Sequence, residues 1–215
     1  MDKNFRDLYV VDPLLFIQRD SISRDESMEG SDQLLSIAKL LSKNESVFVH
    51  GKQVAEFACA IAKKMQYCEN GIKHILLAAM FHDIGKLQLP AEVVNKPGAL
   101  DKDELLLIRK HPEIGYRLLR DIKPELIIAE AALQHHERMD GSGYPFGLNA
   151  RDISPVARII AVADVIDVMI YPQVYRPALG IDEALREIRK NSGLLYDSEV
   201  VSVSSALIED GEFCF

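Results

Sequence analysis

Six histidines occur in the 215-residue chain, and five of them could do chemistry: His50, His82, His111, His135 and His136 fall on inward helix faces, at helix ends, or beside another ionisable side chain. Only His74 reads as ordinary. A lone inward histidine is more often a hydrogen-bonded core residue than a ligand, but five in company with Asp83 and Asp164 make a different case. A carboxylate in an apolar helix costs several kcal/mol to bury unless it is paired or bound to a cation. A metal ion supplies that compensation. Imidazole nitrogen with carboxylate oxygen and no thiolate suits zinc, iron or manganese, and Asp83 has two oxygens with which to bridge two ions. The alternative is a buried Asp–His hydrogen-bond network without metal.

Helices must position these residues. With Ser31 or Asp32 as N-cap, Leu34, Leu35, Ala38 and Leu41 recur at helical spacing until Lys43 and Asn44. A second helix starts near Glu45, and its apolar positions from Val47 to Met65 put His50 in register with the inward face. The stripe Ile72, Ile75, Leu76, Ala79 extends onto His82 and Asp83, with Gly85 expected to end that helix. Asp101 and Glu104 form a capping box for a helix running toward His111-Pro112, and Pro124 opens the one that ends in His135 and His136. Ser154-Pro155 begins the run "PVARIIAVADVIDVMI", apolar nearly all round, interrupted by Arg158, Asp164 and Asp167, and therefore central. Asp182 and Asp197 are the expected N-caps of two last helices, the final one carrying the β-branched run "VVSVSS". The fold class expected is all-α, with about seven or eight helices, residues 1–44 as an extension or linker with one helix and 45–215 as the functional domain.

Composition excludes several classes. The chain is 48% hydrophobic and 27% charged, the balance of a globular protein. No apolar run reaches the roughly eighteen residues of a membrane span, and the start "MDKNFRDLYV" is too charged for a signal peptide, so the expectation is a cytoplasmic protein. A net charge of −8 argues against a nucleic-acid-binding face. Cys59, Cys68 and Cys214 form no disulfide or CxxC pattern.

The ordered set "HDIGK" (82–86) and "HHERMDGSGYP" (135–145), with "VHGKQVAEFA" at His50, "HPEIGYRLL" at His111 and "ARIIAVADVID" around Asp164, resembles the HD-GYP family. These are HD-superfamily phosphohydrolases that cleave cyclic dinucleotides, chiefly cyclic di-GMP. The resemblance implies an HD-domain helical bundle with a Gly-rich loop. It implies a metal set of His50, His82, Asp83 and Asp164, to which His111, His135 and His136 add a second ion site with Asp83 bridging. Two divalent ions follow, iron or manganese by family habit, with zinc, magnesium or nickel compatible. The implied reaction is attack of a metal-bound hydroxide on a phosphodiester. Asp83 and Lys86 would be catalytic. Lys86, Arg176 and the residue at 173 would contact substrate, and Tyr144 would contact a ligand or partner or simply pack. Gly141, Gly143 and Gly147 let the loop curl beside the ligands, and in the family this loop is linked to diguanylate cyclase or sensor partners.

Two positions depart from the family pattern. Three-metal members carry a glutamate one turn before the first histidine; Ser46 stands there, and Glu45 points about 100° away. Two metals are therefore expected. After Asp164 the family reads close to "FDALTSDRPYR", whereas this chain reads "IDVMIYPQVYR", so Gln173 replaces a basic residue and Arg176 remains. Glutamine cannot give a charged, bidentate phosphate contact. Three functions follow: a cyclic dinucleotide phosphodiesterase, a catalytically weak receptor acting through a partner, or an HD nucleotide phosphohydrolase. Gln173→Arg is expected to tighten cyclic dinucleotide binding in a calorimetric titration; unchanged affinity would mean that position 173 does not face the phosphates.

Overall fold

The computed structural model describes residues 28–121, 126–172 and 176–215. The described residues hold no β-strand; isolated bridges pair Asp140 with Asn149 and Ser192 with Tyr196. The helices are α1 (Met28–Leu41), α2 (Glu45–Lys64), α3 (Glu69–Phe81), α4 (Ala91–Val94), α5 (Lys102–Ile108), α6 (His111–Leu119), α7 (Leu126–Gln134), α8 (Pro155–Ile170), α9 (Ile181–Lys190) and α10 (Ser198–Glu209), with a 3-10 turn over Ile84–Gln88. Eight of the helices described have nine residues or more, and α4 and α5 are shorter, in line with the all-α expectation.

Local chemistry sets the helix ends. Asn44 accepts from the Val47 N–H and opens α2, while the Ser46 hydroxyl is bonded to the same Asn44 side chain. Asp101 and Glu104 make the expected reciprocal capping box on α5. Pro112 lies in the first turn of α6, and Ser154 caps α8 through the Ala157 N–H. Asp197 caps α10, which forms despite its β-branched run because Val200, Val201 and Leu207 bury against the core.

Three expectations shift. The first helix already runs from Met28, upstream of Ser31 and Asp32. Gly180, not Asp182, is the N-cap residue of α9; Asp182 sits in the first turn, where its charge complements the helix dipole. Gly85 does not end a helix. The α-helix stops at Phe81, His82 caps it, and Gly85 lies inside the following 3-10 turn. Pro124 and residues 1–27 fall outside the described residues, as does Gln173.

Helix α8 lies at the centre, packed against α2, α3, α7, α9 and α10. Its Ile159, Ile160, Val162, Ala163 and Ile166 are fully buried, as its all-round hydrophobicity requires. Helices α2 and α3 pack along each other, and α3 also packs on α7. Ala38 and Leu41 of α1 are buried in this same core.

The close approach of the 3-10 turn to α6 fixes where Asp83 meets His111. A Cβ added at Gly85 would stand 2.0 Å from the His111 carbonyl oxygen and 2.7 Å from the Gly115 nitrogen. Both obstacles are backbone, so neither can give way cheaply. Gly85→Ala is expected to cost about 3 kcal/mol, read as a lowered denaturation midpoint; unchanged stability would show that the two elements can separate freely.

Candidate metal centre

Three helix termini and two helix faces converge on Asp83. His50 comes from α2, His82 caps α3, His111 begins α6, His135 and His136 follow the last residue of α7, and Asp164 and Asp167 lie one turn apart on α8. All seven sequence-predicted metal residues are brought together. His82 and His135 are fully buried, and Asp83, His111, Asp164 and Asp167 nearly so.

The two carboxylate oxygens of Asp83 face different histidines. Oδ2 lies 3.6 Å from His50 Nε2 and 3.5 Å from His82 Nε2. Oδ1 lies 3.2 Å from His111 Nε2 and 3.7 Å from His135 Nε2. Asp164 completes the first side, with Oδ1 3.1 Å from His50 Nε2 and 3.9 Å from His82 Nε2. Two sets of mutually close donor atoms result, His50–His82–Asp83 and Asp83–His111–His135–His136, and Asp83 belongs to both.

The backbone settles which nitrogen of each ring is free. His82 donates from Nδ1 to the Ala79 carbonyl at 2.7 Å, His111 to Ile108 at 2.7 Å, and His135 to Ala132 at 2.8 Å. A carbonyl can only accept, so each Nδ1 carries the proton and each neutral ring presents the Nε2 lone pair. His111 Nε2 and His135 Nε2 then stand 3.2 Å apart, two lone pairs converging beside an anionic oxygen. That arrangement is repulsive unless a positive charge lies between them. Buried His82 Nε2 and Asp83 Oδ1 likewise have no hydrogen-bond partner among the described residues. Orphaned acceptors of this kind, on nitrogen and oxygen only, fit divalent cations.

Apart from His50, the protonation preferences agree with that donor set. Burial pushes His82 down to about 3, and it lowers His111 and His136 as well, so these rings stay neutral. Burial would push Asp83 up, but Lys86 and the surrounding histidines outweigh it and hold the carboxyl well below its usual range. His50 differs: burial pulls it down, yet Asp164 and Asp167 prevail and raise it to about 10. Neutral imidazole and ionised carboxylate are the forms that ligate metal.

The residues expected to touch substrate separate. Lys86 lies against Asp83 Oδ2 and lines a cavity of about 1180 Å³ that His50, Asp83 and Asp167 also line. Arg176 instead bonds the carbonyls of Val168 and Pro177, and neither it nor Tyr144 lines that cavity. Tyr144 packs: its ring stacks on His136 at 4.7 Å between centroids, and the Arg109 guanidinium covers it at 5.1 Å.

Sequence reasoning passed over three supporting residues. Asp167 accepts from His50 Nδ1 at 2.7 Å; its signal was its place one turn after Asp164. Glu137 is buried, and its two oxygens accept from the Phe146 and Leu148 N–H groups, pinning the Gly-rich loop. Arg109, two residues before His111, carried no distinguishing pattern. Within the loop Gly141 and Gly147 take positive φ, as expected, whereas Gly143 is needed for space, since a Cβ there would lie 2.5 Å from the Arg138 nitrogen and the His136 oxygen.

The stack gives a graded outcome. Tyr144→Phe keeps the ring over His136 and is expected to retain full metal content. Tyr144→Ala frees His136, the site histidine whose ring makes no hydrogen bond among the described residues, and should weaken metal retention about tenfold. Equal metal content in both variants, measured by elemental analysis after desalting, would contradict a packing role.

Comparison with known proteins agrees with this geometry. The family model of the HD domain matches residues 34–200. The chain is 40% identical over 173 residues to the cyclic di-GMP phosphodiesterase of Thermotoga maritima, covering 79% of this chain and 47% of that protein. It is 35% identical over 185 residues to the 3'3'-cGAMP-specific phosphodiesterase 1 of Vibrio cholerae, covering 83% of this chain and 43% of that protein. It thus spans less than half the length of either relative. Among solved structures, a HDG"Y"P protein from Bdellovibrio bacteriovorus shares the fold, with a TM-score of 0.65 at 17% identity over 96% of this chain and 68% of that one. With its own HD pair at His82-Asp83 and its Gly143-Tyr144-Pro145 loop, the chain belongs to the HD domain family and carries the signature of the HD-GYP branch.

Proposed function

We propose that the protein is a metal-dependent phosphodiesterase that opens a cyclic dinucleotide, cyclic di-GMP foremost, to the linear dinucleotide and onward to GMP. The observation that carries this reading is the joining of two donor sets through Asp83 beside a cavity of about 1180 Å³. That volume exceeds the usual range of a drug-sized ligand site and suits a dinucleotide better than a nucleoside monophosphate. Similarity to phosphodiesterases named for cyclic di-GMP and for 3'3'-cGAMP supports the substrate class.

His50, His82, Asp83 and Asp164 would hold one ion, and Asp83, His111, His135 and His136 the other. Iron or manganese is proposed for both. When bound, such ions supply Lewis acidity that neutralises phosphoryl charge and lowers the pKa of water. The chain's own residues do the rest. Lys86 sets an ammonium group in the cleft, where it can turn from Asp83 to a phosphate oxygen. The carbonyls of Ala79, Ile108 and Ala132 hold the rings of His82, His111 and His135 in one tautomer, so no reorganisation is needed on substrate entry. Val93 and Val94 of α4 and Leu105 and Ile108 of α5 give the cleft an apolar wall against which a nucleobase can lie.

Cytoplasmic residence is part of the same proposal, and no helix among the described residues is long and apolar enough to cross a membrane. A cyclase or sensor partner at the Gly-Tyr-Pro loop is also proposed, supported by the exposed ring of Phe146.

The test is turnover of cyclic di-GMP, other cyclic dinucleotides and nucleoside monophosphates by iron- or manganese-loaded protein. Cyclic dinucleotides should be hydrolysed, and Asp83→Ala should lower the rate on the order of a thousandfold, about 4 kcal/mol in the barrier. Dinucleotide binding without turnover, under any metal, would make the protein a receptor.

A further inference from the structure

The two halves of the metal centre are not electrostatically equivalent. On the His111 side the donors are three imidazoles and one oxygen of Asp83. There the ring protons go to carbonyls three residues back in the chain, Ile108 for His111 and Ala132 for His135, and His136 is held by its stack on Tyr144. On the His50 side the same bridging carboxylate is joined by Asp164. Of the site histidines whose ring proton has a defined acceptor, His50 is the one that gives it to a carboxylate, 2.7 Å away on α8, instead of to a carbonyl three residues back in the chain.

That carboxylate belongs to Asp167. It is only 2% exposed, and its other oxygen, Oδ1, has no hydrogen-bond partner among the described residues. A buried acid with one unanswered oxygen is expensive. A carboxylate behind a ligating imidazole fixes the ring and its tautomer and makes the free nitrogen a stronger donor. On α8 the two acids lie three residues apart, so one helix face presents Asp164 Oδ1 to His50 Nε2 and Asp167 Oδ2 to His50 Nδ1. The imidazole is gripped at both nitrogens.

We infer that Asp167 is a positioning residue for His50 that makes the His50–His82–Asp83–Asp164 side the tighter of the two ion sites, so that the centre loads in two unequal steps. This rests on the two-ion reading given above. Asp167 need not touch substrate to act in this way. Replacement by asparagine keeps the shape but removes the charge, and the amide can donate to Nδ1, which moves the ring proton to Nε2 and blocks that nitrogen as a ligand.

The experiment is a calorimetric titration of the metal-stripped full chain with Mn²⁺ alone, with elemental analysis after desalting. The wild-type chain should show two classes of ion. Asp167→Asn should weaken the tighter class roughly ten- to a hundredfold and leave the weaker one in place, with the denaturation midpoint of the stripped protein not lowered. His50→Ala supplies the control: in that background Asp167→Asn should change Mn²⁺ affinity no further, because the two residues act as one unit. An Asp167→Asn effect of equal size with and without His50 would assign the residue a merely structural role and overturn the inference. Unaltered two-step loading in Asp167→Asn would overturn it as well. A wild-type chain that binds no Mn²⁺ would instead defeat the two-ion reading, and this inference with it.

Discussion

Everything in this site depends on one buried carboxylate whose two oxygens serve different histidines. Asp83 turns Oδ2 to His50 and His82 and Oδ1 to His111 and His135. Burial alone would protonate it, and an unpaired carboxylate at that depth would cost several kcal/mol. The surrounding histidines and Lys86 keep it ionised, and the orphaned nitrogen of His82 and the converging nitrogens of His111 and His135 call for positive charge at two separate points. The split of one carboxylate across two donor sets is what turns a histidine cluster into a candidate two-ion centre.

The fold can be read as the means of bringing helix ends to that carboxylate. His82, His111 and His135 each lie where a helix starts or stops, and each uses a nearby carbonyl to fix its ring. Carbonyls in mid-helix are already engaged in the helix's own bonds, whereas those of the last turn are free to accept a second donor. The close contact of the 3-10 turn with α6 depends on Gly85 having no side chain. Glu137 does for the Gly-rich loop what the carbonyls do for the rings: it answers two loop N–H groups from a buried position, which keeps Tyr144 against His136. Packing of α8 among five neighbours then holds Asp164 and Asp167 opposite His50.

Much of this was legible from periodicity, because His50, His82 and Asp83 stand where a hydrophobe belongs and the capping signals at Asp101, Ser154 and Asp197 are local. The seven proposed ligands came from an ordered motif set, and the chain brings all seven together. What was not legible depends on contacts between elements distant in sequence. Asp167 read only as an interruption of an apolar helix, since its partner His50 lies 117 residues away. Gly85 read as a helix stop because the sequence does not show that α6 presses on it. Tyr144 could equally have faced a ligand or packed, and only the positions of His136 and Arg109 decide for packing. Arg176 matched a family phosphate contact, yet its guanidinium is tied to the Val168 and Pro177 carbonyls.

The most direct measurement is anomalous scattering from crystals of the manganese-loaded chain. The account predicts two peaks flanking Asp83, one against Oδ2 with His50, His82 and Asp164, the other against Oδ1 with His111, His135 and His136. A single peak, a third peak near Ser46, or ions held without Asp83 between them would contradict it.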